Sequence, residues 1–92
     1  MKVIFDRSFY RCLDHRLPKQ IAKQVIEVIE KLELAPGVHA LLNIKKLAGF
    51  KNYYRIRIGQ YKLGLELEVK QTVRLIMICH RKEIYRKFPE RK

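Results

Sequence analysis

Cysteine is scarce in this chain, and the two that occur, Cys12 and Cys79, lack the paired spacing of a zinc site or a disulfide framework. Both read as small buried apolar residues, and that usage points to a reducing cytoplasm. Long hydrophobic runs are missing as well. The start, Met1-Lys2-Val3-Ile4-Phe5-Asp6, has no signal-peptide core, and no stretch approaches the roughly 18 apolar residues of a membrane span, so no membrane partner is expected. Carboxylates are few: nine are scattered along 92 residues, with Glu66 and Glu68 the only pair on one strand. No His, Asp or Glu cluster has ligand spacing, so neither a metal nor a cofactor is expected. A G-x-S-x-G elbow and a phosphate-binding P-loop are both absent. Repeats, linkers and low-complexity tracts are missing too, and a chain of this length buries only about 60 to 65% of its unfolded surface, so residues 1–92 read as one domain.

What the chain has instead is positive charge: 21 Lys and Arg against 9 Asp and Glu, a formal net charge of +12. Such a balance favours a polyanionic partner over a neutral small molecule. Residues 1–42 hold seven basic and five acidic side chains, whereas residues 43–92 hold fourteen basic and four acidic ones. The excess is therefore concentrated in the second half.

The first half reads as a strand and two helices. Lys2-Val3-Ile4-Phe5 is short, β-branched and aromatic, which predicts a strand. Asp6 or Ser8 is positioned to cap a helix in which Phe9, Leu13 and Cys12 share a face. Leu17-Pro18 interrupts it, and Pro18 suits the first turn of a second helix. There Ile21, Val25, Val28, Ile29 and Leu32 form an apolar stripe, with Lys23 and Glu27 paired across one turn. Pro36-Gly37 is expected to end that helix, the glycine by tolerating a left-handed turn. The two helices together predict an antiparallel hairpin lying on a sheet.

From Asn43 onward the period becomes two. Ile44-Lys45-Lys46-Leu47 is one predicted strand; Tyr53 to Val69 is a hairpin turning at Gly59-Gln60. Pairing across that turn sets Ile58 opposite Tyr61, Arg57 opposite Lys62, Ile56 opposite Leu63 and Arg55 opposite Gly64. Tyr54, Ile56, Ile58, Tyr61, Leu63 and Leu65 then face a core, while Tyr53, Arg55, Arg57 and Lys62 share the other face. Glu66 and Glu68 are expected to pair with basic neighbours across strands. Thr72 to Cys79 is apolar on both faces, as suits a strand buried between neighbours. The segment from His80 to Phe88 is expected to close the domain as a loop or short helix.

Arg55, Arg57 and Lys62, with Arg81, Lys82, Arg86 and Lys87 in the C-terminal segment, can neutralise several phosphates, and the guanidinium fork can grip one bidentately. Lys45, Lys46 and Lys51 extend this set toward the preceding strand. Tyr53 and Tyr85 offer rings on which unpaired bases could stack. RNA cleavage needs only a base to take the proton of a ribose 2′-OH and cations to stabilise charge at the phosphorus. The candidates for proton transfer are His80, Tyr85 and Lys62. His15 and His39 lie away from this surface.

Three motifs lie in order along the chain: Lys46-Leu47-Ala48-Gly49, then Tyr54-Arg55-Ile56-Arg57-Ile58-Gly59-Gln60-Tyr61-Lys62, then His80-Arg81-Lys82-Glu83-Ile84-Tyr85. Behind a strand and two helices, this arrangement resembles the RelE/ParE superfamily of toxins from type II toxin-antitoxin modules, most closely its RelE-like ribonuclease branch. The resemblance spans nearly the whole chain. It implies an α+β domain: an N-terminal strand, a helical hairpin, then a twisted, mainly antiparallel sheet of three to four further strands. The concave face of that sheet would bind messenger RNA in the ribosomal A site and cut it without a metal. Matched by position, Arg57, Lys62 and Arg81 would bind and stabilise the scissile phosphate, beside Arg55. Tyr85 or His80 would move a proton and orient the base. Lys62 stands where many relatives have Arg, keeping the charge but losing the fork, and Cys79 where glycine is common. The implied partners are a cognate acidic antitoxin, the 70S ribosome with its mRNA, and operator DNA only through the antitoxin complex. Two alternatives stay open: a ParE-like inhibitor of DNA gyrase, and a basic nucleic-acid-binding domain without catalysis.

Overall fold

The computed structural model describes residues 1–13, 17–41, 43–69 and 71–80. Strand β1 (Lys2–Phe5) leads into helix α1 (Arg7–Leu13) and helix α2 (Lys19–Leu34). After a single 3-10 turn at Val38–Ala40 come β2 (Ile44–Lys46), β3 (Tyr53–Ile58), β4 (Tyr61–Glu68) and β5 (Thr72–His80). The strands form one sheet in the order β1-β5-β4-β3-β2. β1 runs parallel to β5, and every other neighbouring pair is antiparallel. The expected α+β architecture is present, with four strands after the helices.

Asp6 supplies the cap of α1: its Oδ2 accepts from the Ser8 backbone N–H at 3.1 Å and from Ser8 Oγ at 2.6 Å, satisfying donors that a helix start leaves open. Phe9 is buried as expected, but Leu13 is 41% exposed. At the end of a two-turn helix it lines an apolar cleft of about 290 Å³ between α1 and α2, with Phe5, Tyr10 and Ile26. Pro18 stands one position earlier than expected, as the residue before α2. Its ψ of 144° is extended, while its carbonyl accepts the first helical bond from Ala22 at 2.9 Å.

The stripe of α2 packs on the sheet, with Val25 and Leu32 buried and Ile21, Val28 and Ile29 against them. The helix stops because Ala35 precedes a proline and is pushed to ψ 143°. Gly37 has φ −173°, an extended conformation open to any residue, so the left-handed turn expected there does not form. The last carbonyls of α2 are met by the ammonium of Met1, which lies 3.0 Å from the oxygens of Leu32, Glu33 and Ala35. A positive group there also complements the helix dipole.

The main core lies between the helices and one sheet face: Phe9, Val25 and Leu32 meet Ile56, Ile58, Leu63, Leu65, Val73, Leu75 and Ile78. Fully burying a side chain of this size is worth about 1.5 to 3 kcal/mol. β5 lies between β1 and β4, which explains its apolar run on both faces. The ladder between β4 and β5 has one irregularity. Gly64 pairs with Met77 but Leu65 pairs with Leu75, so Ile76 is an extra residue bulged out of β5. Its carbonyl accepts from Ser8 Oγ at 2.6 Å, tying the bulge to the start of α1.

Candidate nucleic-acid interface

The hairpin register is the one expected from its two-residue turn: Ile58 faces Tyr61, Arg57 faces Lys62, Ile56 faces Leu63 and Arg55 faces Gly64. Gly59, at φ 59°, takes the left-handed conformation that such a turn requires. β2 adds a pairing that the hairpin alone does not define, Lys45 opposite Arg55. Directly opposed residues share a face of the sheet. Lys45, Arg55, Arg57 and Lys62 therefore form a compact cationic patch on the face turned away from the main core.

This patch contains two directly opposed like-charge pairs, Arg57 with Lys62 and Lys45 with Arg55. Such pairs destabilise a sheet. Among the described residues, no carboxylate lies within ion-pair reach of Lys45, Arg55 or Arg57. Arg57 and Lys45 are exposed, Arg55 and Lys62 half-buried. A bound anion would relieve both repulsions at once.

Carboxylates gather at the other end of the same face. Arg74 pairs opposite Glu66 in the ladder, its Nε donates to Glu68 Oε2 at 2.6 Å, and its Nη1 lies 3.7 Å from Asp6 Oδ1. The hydrogen bond to Glu68 holds the guanidinium above its ordinary pKa against the opposing effect of burial, with the charges of Glu68, Asp6 and Glu66 adding to the rise. The charge is thus favoured in the fold. Its contribution to stability is complete below the ordinary arginine value and is lost only as pH rises through the raised one. The expected pairing of Glu68 with a basic neighbour is met by Arg74, and with three carboxylates, Asp6, Glu66 and Glu68, around one guanidinium this end is acidic, opposite in sign to the cationic patch.

Beside the patch lies a second, smaller apolar cluster, in which Ile76, Met77 and Cys79 are buried with Leu47 and Tyr53 against them. Cys79 Sγ lies 3.7 Å from Met77 Sδ. Tyr53 is on this face, as expected. Phe50, which sequence reasoning passed over, lies beside it with ring centroids 6.3 Å apart and planes 12° from parallel. The signal that was available is a lone aromatic in the polar turn Gly49-Phe50-Lys51-Asn52.

Two candidate residues fall elsewhere. Lys46 is opposite Tyr54 and so lies on the helix side of the sheet, at its edge. His80 is the last residue of β5 rather than part of a loop, and it is opposite Tyr61, with the two rings 5.5 Å apart and edge to face. Tyr61 packs on the main core. The structure therefore places His80 on the face opposite Lys62 and does not bring the two together. The cause is the bulge. Counting back from Glu68 opposite Thr72 without it, Lys62 would meet Ile78 and His80 would share its face. One extra residue reverses that parity. Lys51 is exposed in the turn before β3. Arg81, Lys82, Tyr85, Arg86 and Lys87 lie outside the described residues.

No helix among the described residues is long and apolar enough to cross a membrane. No protein-family model matches the chain. It is, however, 40% identical over 90 residues to Toxin RelE3 of Methanocaldococcus jannaschii, a match covering 97% of this chain and 100% of that protein. A chain in the crystal structure of the RelB-RelE antitoxin-toxin complex from Methanococcus jannaschii superposes with a TM-score of 0.79 at 37% identity, over 94% of this chain and 99% of that one. A chain of the RelBE2 toxin-antitoxin complex from Mycobacterium tuberculosis does so with a TM-score of 0.67 at 28% identity, over 87% and 90%. With the strand order and the cationic hairpin already established, this full-length similarity shows that the chain belongs to the RelE family of toxins from type II toxin-antitoxin modules.

Proposed function

We propose that this toxin is a ribosome-dependent endoribonuclease that cuts mRNA in the A site and so stops translation. The observation that carries the proposal is the two pairs of directly opposed cations, Arg57 with Lys62 and Lys45 with Arg55, maintained at a cost to the sheet without a described carboxylate partner for Lys45, Arg55 and Arg57. A phosphate backbone is the ligand such a face fits. In this reading Arg57 and Lys62 hold the scissile phosphate, and Arg55, Lys45 and Lys51 hold its neighbours. The ribose 2′-OH gives its proton to a base and attacks phosphorus; the 5′-oxygen leaves and takes a proton, giving a 2′,3′-cyclic phosphate. The positive side chains stabilise the charge that develops on the phosphate oxygens, so the step itself calls for no metal. Arg81 as a third cation and Tyr85 as proton carrier rest on the family resemblance alone. His80, beside Tyr61, is left out of the chemistry.

The remaining elements of the proposal follow from family membership. The antitoxin would be an acidic RelB-like chain, because RelE-RelB complexes are the assemblies solved for the relatives. The site of action would be the cytoplasm, operator DNA would be reached only through the antitoxin complex, and residues 1–92 would act as one domain. The test maps mRNA ends on programmed ribosomes with and without the toxin. Wild type is expected to give new ends within the A-site codon bearing cyclic phosphate, and Arg57→Ala to lower the cleavage rate by about 10² or more. Intact transcripts in the presence of folded wild-type protein would overturn the assignment, and DNA-damage signalling instead would favour the gyrase alternative.

A further inference from the structure

We infer that Phe50 and Tyr53 form a stacking site for one unpaired RNA base next to the cation-bound phosphates; the inference rests on the ribonuclease reading and adds a base contact to it. Phe50 is 38% exposed, so part of its ring is open to a planar partner, and an aromatic face is the surface on which a base stacks. Its loop is held at both ends. Leu47 N–H donates to the Tyr53 carbonyl at 2.9 Å, and Leu67 N–H donates to the Asn52 carbonyl at 2.8 Å. Two positive-φ residues, Gly49 at 81° and Asn52 at 65°, make the tight path between them. Leu47 and Tyr53 are anchored on the Ile76-Met77-Cys79 cluster. The near-parallel rings are therefore preorganised, so little ordering is needed when a base arrives. Tyr53 and Arg55 are two residues apart on β3, about 7 Å along the strand, comparable to one extended nucleotide. A phosphate on Arg55 would leave the neighbouring base within reach of the rings. Lys51, exposed in the same loop, adds charge for the backbone of that nucleotide.

The test measures the affinity of the toxin, by fluorescence anisotropy at low salt, for a labelled single-stranded oligonucleotide whose 2′-OH groups are replaced by 2′-H to prevent cleavage. The oligonucleotide is scanned with a single abasic site. In wild type, one abasic position is expected to weaken binding by about five- to 150-fold. Phe50→Leu should lose the same factor and become insensitive to that position, whereas Phe50→Tyr, which keeps a ring, should retain both. Affinity and abasic sensitivity unchanged in Phe50→Leu would overturn the stacking site, and loss of both in Phe50→Tyr would reassign Phe50 to loop structure and overturn it too. Arg55→Ala with Arg57→Ala provides the independent arm. Should that pair leave affinity unaltered while Phe50→Leu abolishes the abasic effect, the phosphate reading fails and the stacking site stands.

Discussion

Replacing Arg55 and Arg57 together by alanine tests whether the cationic face meets phosphates or merely water. On single-stranded nucleic acid, each neutralised phosphate contributes about 0.7 to the slope of log affinity against log salt. The four cations grouped by the sheet, Lys45, Arg55, Arg57 and Lys62, would together contribute about 2.8, and removing two should reduce the slope by about 1.4. Between 50 and 200 mM salt, the four-cation contribution corresponds to about a 50-fold loss of affinity and the two-cation remainder to about seven-fold. Whatever residues 81–92 add is common to both proteins and drops out of the difference. Arg74→Gln is the control, because that guanidinium is already matched by Glu68 and Asp6 and its loss should leave the slope nearly unchanged. Anisotropy titrations of a single-stranded RNA over a salt series provide the slopes, and circular dichroism confirms that each variant is folded. The thermal midpoint of the double variant should not fall, since it relieves two opposed like-charge pairs. An unchanged slope in the folded double variant, or an equal loss in Arg74→Gln, would refute the reasoning.

Leu65→Ala removes a fully buried side chain from the main core and should cost about 2 to 5 kcal/mol, lowering the thermal midpoint by at least about 8 °C; a smaller shift by calorimetry would mean that the site collapses to fill the cavity. Ser8→Ala takes away the hydroxyl that meets the bulged Ile76 carbonyl and should cost about 1 to 3 kcal/mol in urea denaturation. An unchanged urea midpoint would show that the carbonyl is satisfied in another way. Gly59→Ala puts a Cβ at φ 59° and 3.3 Å from Ile21 Cδ1, so a loss of about 1 to 2 kcal/mol is expected, with Gly59→Asn milder; equal stability of the alanine variant would place the turn in another conformation.

Much of this protein is determined by its sequence alone, and the reason is local. The turn at Gly59-Gln60 is two residues long, so counting outward from it assigns a face to each residue of the hairpin. The cationic pair Arg57 and Lys62 could be read that way because no distant contact can alter it. The stripe of α2 and the two-sided apolar run of β5 are legible for the same reason, since periodicity reports burial within one element. Tertiary structure decided what depends on elements far apart in the chain. Lys45 joins Arg55 only because β2 returns to the edge of β3, and Arg74 is neutralised because β1 and β4 bring Asp6 and Glu68 to it. The face of His80 turns on a single inserted residue. Counted from the preceding turn, it would share the surface of Lys62; the bulge at Ile76, anchored by Ser8 from the other end of the chain, reverses the alternation and sets it against Tyr61. A run such as Leu75-Ile76-Met77-Ile78 is apolar throughout, so its composition carries no mark of where the alternation breaks, and only packing against α1 and β4 fixes the position.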